Sequence, residues 1–254
     1  MVYFLFLIFD FLHTMEKKIF KCKQFEIDDS RSALKIGSDG MMIGAWVKLD
    51  NCSSILDIGT GSGLIALMQA QKYADTIITG VDIHNGSILD AVDNANKTPW
   101  ASRLNFNCVD IKTYHSEYKY DAIISNPPFF INSTKSNNKA LSTAKHTDTL
   151  SPQDIVDFSF NLLNTDGILA MILPFDLGNV VIEYALTLGY TLNRKCIIYP
   201  VSYKKPNRLM FELRHTNSKV DDIEEEILFV RDSAKNNAFS DGYKSLLSDF
   251  MIRY

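Results

Sequence analysis

At residues 54–67 the chain reads SILDIGTGSGLIAL, a β-type apolar run that passes through a glycine-rich turn straight into a helical pattern. No other stretch restricts the fold as much, because a strand, a tight turn and a helix in direct succession begin a βα unit. Glycine lacks a Cβ, so Gly59, Gly61 and Gly63 let the backbone take positive φ and let a ligand approach the main chain. Their spacing is G-x-G-x-G and not the G-x-G-x-x-G of the dinucleotide fingerprint. Asp57, just ahead of the glycines, would repel a pyrophosphate. It is suited to orienting a ligand's ammonium group, to holding the loop through backbone N–H bonds, or to both. An NAD dehydrogenase is disfavoured by that spacing.

Three more apolar runs end in residues able to accept hydrogen bonds. The run at 76–82 ends in Asp82, about twenty residues past the loop, where a carboxylate accepts both hydroxyls of a ribose in an α/β crevice. The plainer role for Asp82 is to cap the next helix. The run from Leu104 ends in Asp110, placed to accept from an exocyclic adenine amine or to satisfy its own turn. The run at 120–125 leads into Asn126-Pro127-Pro128-Phe129. Two prolines lack backbone N–H groups and push the preceding residues to extended angles, so the chain leaves the sheet in one stiff shape. That shape presents the Asn126 side-chain oxygen, an uncommitted Pro127 carbonyl and the ring of Phe129. Two acceptors beside a ring suit a flat substrate carrying an NH2 group.

Strands are expected near 53–58, 76–82, 104–109, 120–125, 167–173, 193–199 and 208–214, and helices at 63–73, 86–97, 152–163 and 177–188. Ser151-Pro152-Gln153-Asp154 suits a helix start, and Gly189 suits a helix end. The last two strands have no helix between them and read as an antiparallel hairpin. The predicted fold class is α/β: a Rossmann-like, seven-stranded, mainly parallel sheet with helices on both faces and a terminal antiparallel hairpin. Ligands then bind outside the carboxyl ends of the strands, where the loop, both acids and NPPF fall.

With these motifs in order, the chain resembles the class I S-adenosylmethionine-dependent methyltransferases of the amino-group type, whose signature has the form [DNS]-P-P-[FYW]. The block KIGSDGMMIGAW at 35–46, preceded by FKCKQF at 20–25, is similar to the opening of the tRNA adenine N6-methyltransferases that modify adenosine 37, next to the anticodon of valine tRNA. The resemblance spans roughly residues 18–254. It implies S-adenosylmethionine as cofactor, tRNA as partner and N6 methylation of an adenine as activity. On this reading Asn126, Pro127 and Phe129 are catalytic. Lys35, Ser38, Asp39, Asp57, Gly59, Gly61, Gly63, Asp82, Asp110 and Asn126 contact the cofactor. Ser38-Asp39 also reads as an ordinary helix N-cap, His146 as a solvated or substrate-edge residue, and Trp46 with Met41-Met42 as core. NPPF-type sites of the wider family also serve rRNA guanine N2 and the glutamine N5 of release factors, although the separate helical domain of the latter enzymes has no room here. A reading from another class is an S-adenosylmethionine-binding scaffold without turnover, against which the intact loop and Asn126 both argue.

The 254 residues are 46% apolar, enough for one large core. Cys22, Cys52, Cys108 and Cys196 are scattered with no CxxC, so reduced thiols in a cytoplasmic protein are expected rather than disulfides or a metal site. The apolar stretch at 1–12 is too short to span a membrane and lacks a basic region, so neither a membrane anchor nor a signal peptide is expected. Residues 1–14 read as an upstream extension ahead of Met15, and 15–254 as a single methyltransferase domain. Net charge is −4, well short of a basic domain. Lysines and arginines nonetheless gather at 17–35, at 135–145 and at 204–208, which would suffice for a local RNA surface and equally serves to keep the protein in solution. The acids at 221–226 read as a solvated segment, and oligomeric state is not encoded in any recognisable pattern.

Overall fold

Isoleucine-rich runs alternate with amphipathic segments, and their alternation builds one sheet with helices packed on it. The computed structural model describes residues 19–49, 51–128, 150–216 and 222–253. A short antiparallel pair, β1 (Phe20–Lys21) and β2 (Glu26–Ile27), precedes helix α1 (Ser38–Trp46). The βα units follow: β3 (Ser54–Ile58), α2 (Leu64–Lys72), β4 (Ile77–Asp82), α3 (Asn85–Asn96), β5 (Leu104–Cys108) and β6 (Tyr120–Ser125). Then come α4 (Pro152–Leu162), β7 (Leu163–Pro174), α5 (Phe175–Thr187), β8 (Thr191–Val201) and β9 (Arg208–Arg214). The described chain closes with β10 (Glu224–Asp232), β11 (Ala238–Phe239) and α6 (Asp241–Leu246).

Among the described residues the main sheet runs β11-β10-β8-β9-β7-β6-β3-β4-β5. Strands β7, β6, β3, β4 and β5 are mutually parallel, and β9 is antiparallel to both its neighbours. The central strand β3 is buried on both faces, as a parallel strand covered on both sides must be. On one face Ile55, Ile78, Ile124 and Ile172 pack against α1 and α2. On the other, Leu56, Ile58, Ile123 and Leu169 pack against Ile155 of α4 and Val181 of α5. Ser151 caps α4 in a capping box with Asp154, and Gly189 ends α5 at φ 97°.

All seven expected strands and four expected helices form, and the β8–β9 hairpin is antiparallel. Its place differs from a simple terminal closure. β9 inserts between β7 and β8, and β10 then adds parallel to β8. The acid run keeps its solvated side chains but belongs to a strand that was not expected. Glu224, Glu225 and Glu226 open strand β10, where Glu226 lies 2.5 Å from the Arg194 guanidinium and Glu224 3.5 Å from it. Arg194 is buried, faces Glu212 at 3.4 Å and stacks over Trp46 at 4.1 Å. A buried cation needs carboxylates around it, and Glu226 and Glu224 supply them from an edge that stays solvated, with side chains 36% and 61% exposed.

Cys22, Cys52, Cys108 and Cys196 are free thiols. No described helix is long and apolar enough to cross a membrane, and the described residues contain no cluster suited to a metal ion. The expected extension at 1–14 and Met15 lie outside the described residues, as do His146, Asp221 and the lysines at 17, 18, 135, 139 and 145.

Candidate active site

The glycine loop forms because β3 ends in a turn with three left-handed residues, a backbone that glycine adopts without strain. Gly59 and Gly61 hold φ of 73° and 56°, and a Cβ on either would stand in open space facing the crevice. A bare, left-handed backbone therefore lines the hollow. The loop is pinned from the neighbouring strand: Gly59 and Thr60 donate their N–H groups to the Val81 carbonyl at 2.9 and 3.1 Å. Gly61 donates to Asp82 Oδ2 at 3.0 Å. From beneath, Asp57 Oδ2 accepts from the Thr60 hydroxyl at 2.7 Å and from the Ala66 N–H at 3.2 Å. Asp57 is fully buried, its Oδ1 has no hydrogen-bond partner, and burial pushes its carboxyl up to about 7.

A cavity of about 590 Å³ opens over this loop at the carboxyl ends of β3, β4 and β6. That volume lies within the roughly 300–1,000 Å³ usual for small-molecule sites. Asp82 and Asp110 both reach it. Asp82 Oδ1 accepts from the His84 N–H at 2.8 Å, and Asp110 Oδ1 from the Lys112 N–H at 2.9 Å. Each carboxylate oxygen has a second lone pair, so both acids cap their own turns and remain acceptors toward the cavity. The turn reading holds at Asp110, which caps the short turn after it, whereas the helix after Asp82 is capped by His84, and Asp82 bonds the turn ahead of that cap.

Asn126 and Pro128 line the same cavity, and Pro127 between them is buried. The end of β6 is fixed to β3 by the Ser125 hydroxyl, which donates to the Ile58 carbonyl at 2.8 Å. From the other side α1 presents Gly40, where a Cβ would lie 3.0 Å from Leu64 Cδ2 and 3.6 Å from Asn126 Nδ2. The glycine thus lets the helix close on the Asn126 amide. Phe129 lies outside the described residues.

Of the expected opening-block contacts, Lys35 lines the cavity, with its ammonium held 2.5 Å from the Asp29 carbonyl. Ser38 and Asp39 do not line it. They face a second hollow on the far side of α1, where Asp39 Oδ2 accepts from Arg208 Nε at 2.7 Å. Nor do they cap the helix: its N-cap is Gly37, without a side-chain bond. Asp57 lies beneath the loop and is absent from the cavity wall, while the loop glycines Gly59 and Gly61 belong to it and Gly63 packs behind against Ala91.

Sequence reasoning missed what holds the wall ahead of α1. Asp90 and Asn94, both fully buried, project from one face of α3. Asp90 accepts from the backbone N–H and the guanidinium of Arg31 and from the Ser32 hydroxyl at 2.7–2.9 Å. Asn94 exchanges two 2.9 Å bonds with the backbone of Asp28. The available signal was a polar pair at i, i+4 on an inward helix face. Ile83, 70% exposed at the cavity edge, was missed as well, since one surface isoleucine carries no signal by sequence alone.

The residues present fit S-adenosylmethionine. The open glycine backbone, two acids at successive strand ends and a lysine on the rim match the donors and acceptors of a charged nucleoside. The description of the methyltransferase small domain matches residues 30–178. The tRNA1(Val) (adenine(37)-N6)-methyltransferase of Vibrio parahaemolyticus is 34% identical over 94% of this chain and 97% of its own length. A protein of the same name from Bacteroides fragilis is 32% identical over 94% of this chain and all of its own. In fold, a predicted O-methyltransferase from Agrobacterium tumefaciens superposes with a TM-score of 0.61 at 15% identity, covering 83% of this chain and 96% of that one. The chain belongs to the methyltransferase small-domain family and, within it, to the tRNA1(Val) (adenine(37)-N6)-methyltransferases.

Proposed function

We propose that this protein transfers a methyl group from S-adenosylmethionine to the exocyclic N6 of an adenine in tRNA, at position 37 of valine tRNA, in the cytoplasm. The observation that carries the reading is Asn126, set by two prolines at the mouth of the cavity that the glycine loop and two acids line. The names of relatives that match nearly the whole chain support the choice of acceptor.

When bound, S-adenosylmethionine supplies an electrophilic methyl group. Asp82 and Asp110 hold hydroxyl and amine donors of the nucleoside, and Lys35 adds a cation to the rim. The problem left to the protein is the acceptor nitrogen, whose lone pair is delocalised into the ring. Asn126 Oδ1 and the Pro127 carbonyl accept the two amine hydrogens and draw the nitrogen toward sp3 character. Its lone pair is then directed into the cavity, and orientation accounts for much of the acceleration. The apolar Ile36 and Leu150 line the same cavity. The nitrogen becomes acidic only after alkylation, so no strong base is assigned.

The test is methyl transfer from labelled S-adenosylmethionine to total unmodified tRNA, with nucleoside analysis of the product. N6-methyladenosine confined to one tRNA species is expected. Labelled guanine N2 in rRNA, or a labelled glutamine amide, with none in tRNA would replace this reading.

A further inference from the structure

The second hollow has about 420 Å³ and shares no lining residue with the cavity over the glycine loop. Its walls include Ser38 and Asp39 of α1, the end of β8, the β8–β9 connection with Tyr203, Lys204 and Asn207, Arg208 at the start of β9, and Arg231 near the end of β10. Three cations and a single carboxylate face it, in a chain whose net charge is −4. Asp39 is already committed to Arg208 at 2.7 Å. Arg231 lies 4.4 Å over the Phe239 ring and donates to the Asn237 carbonyl at 2.8 Å, which fixes its guanidinium without neutralising it. Lys204 and the adjacent Lys205 are exposed and form no ion pair among the described residues. Tyr203 beside them is 69% exposed. The connection that carries all three is ordered by backbone bonds, Lys204 N–H to the Val201 carbonyl at 3.1 Å and Asn207 N–H to the Ile198 carbonyl at 3.0 Å.

Position gives this patch its meaning. The first turn of α1 is a wall common to both hollows: Gly37 and Gly40 face the cofactor cavity, Ser38 and Asp39 the groove. Both open at the edge of the sheet where β3, β4, β6, β8 and β10 end. We infer that the groove is a docking site for the phosphodiester backbone of the RNA whose target base sits beside Asn126. Lys204, Lys205 and Arg231 meet phosphates, and Tyr203 offers a stacking face to an unpaired base. The inference rests on the RNA-methylating reading and adds to it the surface on which the strand is held.

The experiment measures equilibrium binding of unmodified tRNA, without turnover, at several salt concentrations, for the wild-type protein and two variants. K204A/K205A is expected to weaken binding about tenfold. Because each phosphate contact contributes roughly 0.7–0.9 to the slope of log affinity against log salt, that slope should fall by between one and two units. Tyr203→Ala is expected to weaken binding while leaving the slope unchanged. In both variants the thermal midpoint, its shift by S-adenosylmethionine and kcat at saturating tRNA should stay at wild-type values. Unchanged affinity and slope in K204A/K205A, with tRNA still methylated, would overturn the groove and leave the activity standing. A wild-type protein that neither binds nor methylates RNA would end both. Binding of polyglutamate in place of RNA, sensitive to K204A/K205A, would make the groove a site for an acidic protein and refute the proposal.

Discussion

Asp57 shows how one side chain serves a loop it supports from below. Its carboxyl is raised to about 7 chiefly by burial, partly offset by the bonds from Thr60 and Ala66. Between the ordinary value of 3.8 and about 7, the native state keeps a proton that the unfolded chain has released. The stability contributed by this group is therefore complete below pH 4 and is lost as pH rises through 7, by up to about 1.4 kcal/mol per unit. Urea unfolding of Asp57→Asn, which keeps the oxygen that accepts both bonds, should show a flatter decline between pH 5 and 8 than the wild type. At Asn126 the expectation is kinetic. Asn126→Ala should lower kcat by about 10²-fold, comparable to loss of one preorganised polar contact at a reacting group, with cofactor affinity unchanged. Near-normal kcat would refute its role. Residue positions were readable from sequence where a strand end fixes them, as at Asp82, Asp110 and Asn126. They were not readable on α1, because each helical residue turns the chain by about 100°, so Ser38 and Asp39 point away from the cavity that Gly37 and Gly40 face.

Between elements, the contacts that matter are tight or charged. A Cβ on Gly80 of β4 would stand 2.6 Å from the Phe106 ring and 2.7 Å from Thr60 Oγ1. Gly80→Ala should therefore cost about 1–3 kcal/mol in chemical denaturation and, by displacing Thr60, weaken cofactor binding as well. Arg194 joins β8, β9, β10 and α1, and burial holds the Glu212 carboxyl above its usual range despite the nearby guanidinium. Arg194→Met leaves Glu212 buried and uncompensated, with an expected loss of about 3–5 kcal/mol. R194M/E212Q should recover a good part of it. A double variant as unstable as R194M alone would place the cost elsewhere. This network also explains why β10 escaped notice: three consecutive, largely exposed glutamates carry no apolar strand pattern, and the buried arginine they pair with lies about thirty residues upstream.

On the scale of the whole molecule, the parallel half of the sheet was legible because each strand ends in a motif with its own chemistry. The order of the last strands was not, since insertion of β9 between β7 and β8 is set by long-range pairing that leaves no periodicity behind. Cofactor binding to so open a crevice should register globally. At one hundred times its Kd, S-adenosylmethionine should stabilise the fold by about 2.7 kcal/mol. Asn126→Ala should show the same thermal shift as wild type, and absence of a shift in both would remove the cofactor reading.

The Arg194 latch has a consequence for how the protein comes into being. The cofactor-lining loop, both acids and Asn126 all precede residue 129, yet the helix that walls the cavity is tied to later strands. Arg194 donates to the Trp46 carbonyl at 3.1 Å, and Trp46 Nε1 donates to Glu226 at 3.3 Å. A nascent chain still on the ribosome, with 226 not yet emerged, carries the residues that line the cavity and holds the end of α1 from one side, where Gln69 and Lys72 of α2 donate to the Gly44 and Ala45 carbonyls. The ties from Arg194 and Glu226 come last in chain order, so a chain cut before β10 should keep the cavity lining while its α1 wall is less firmly held.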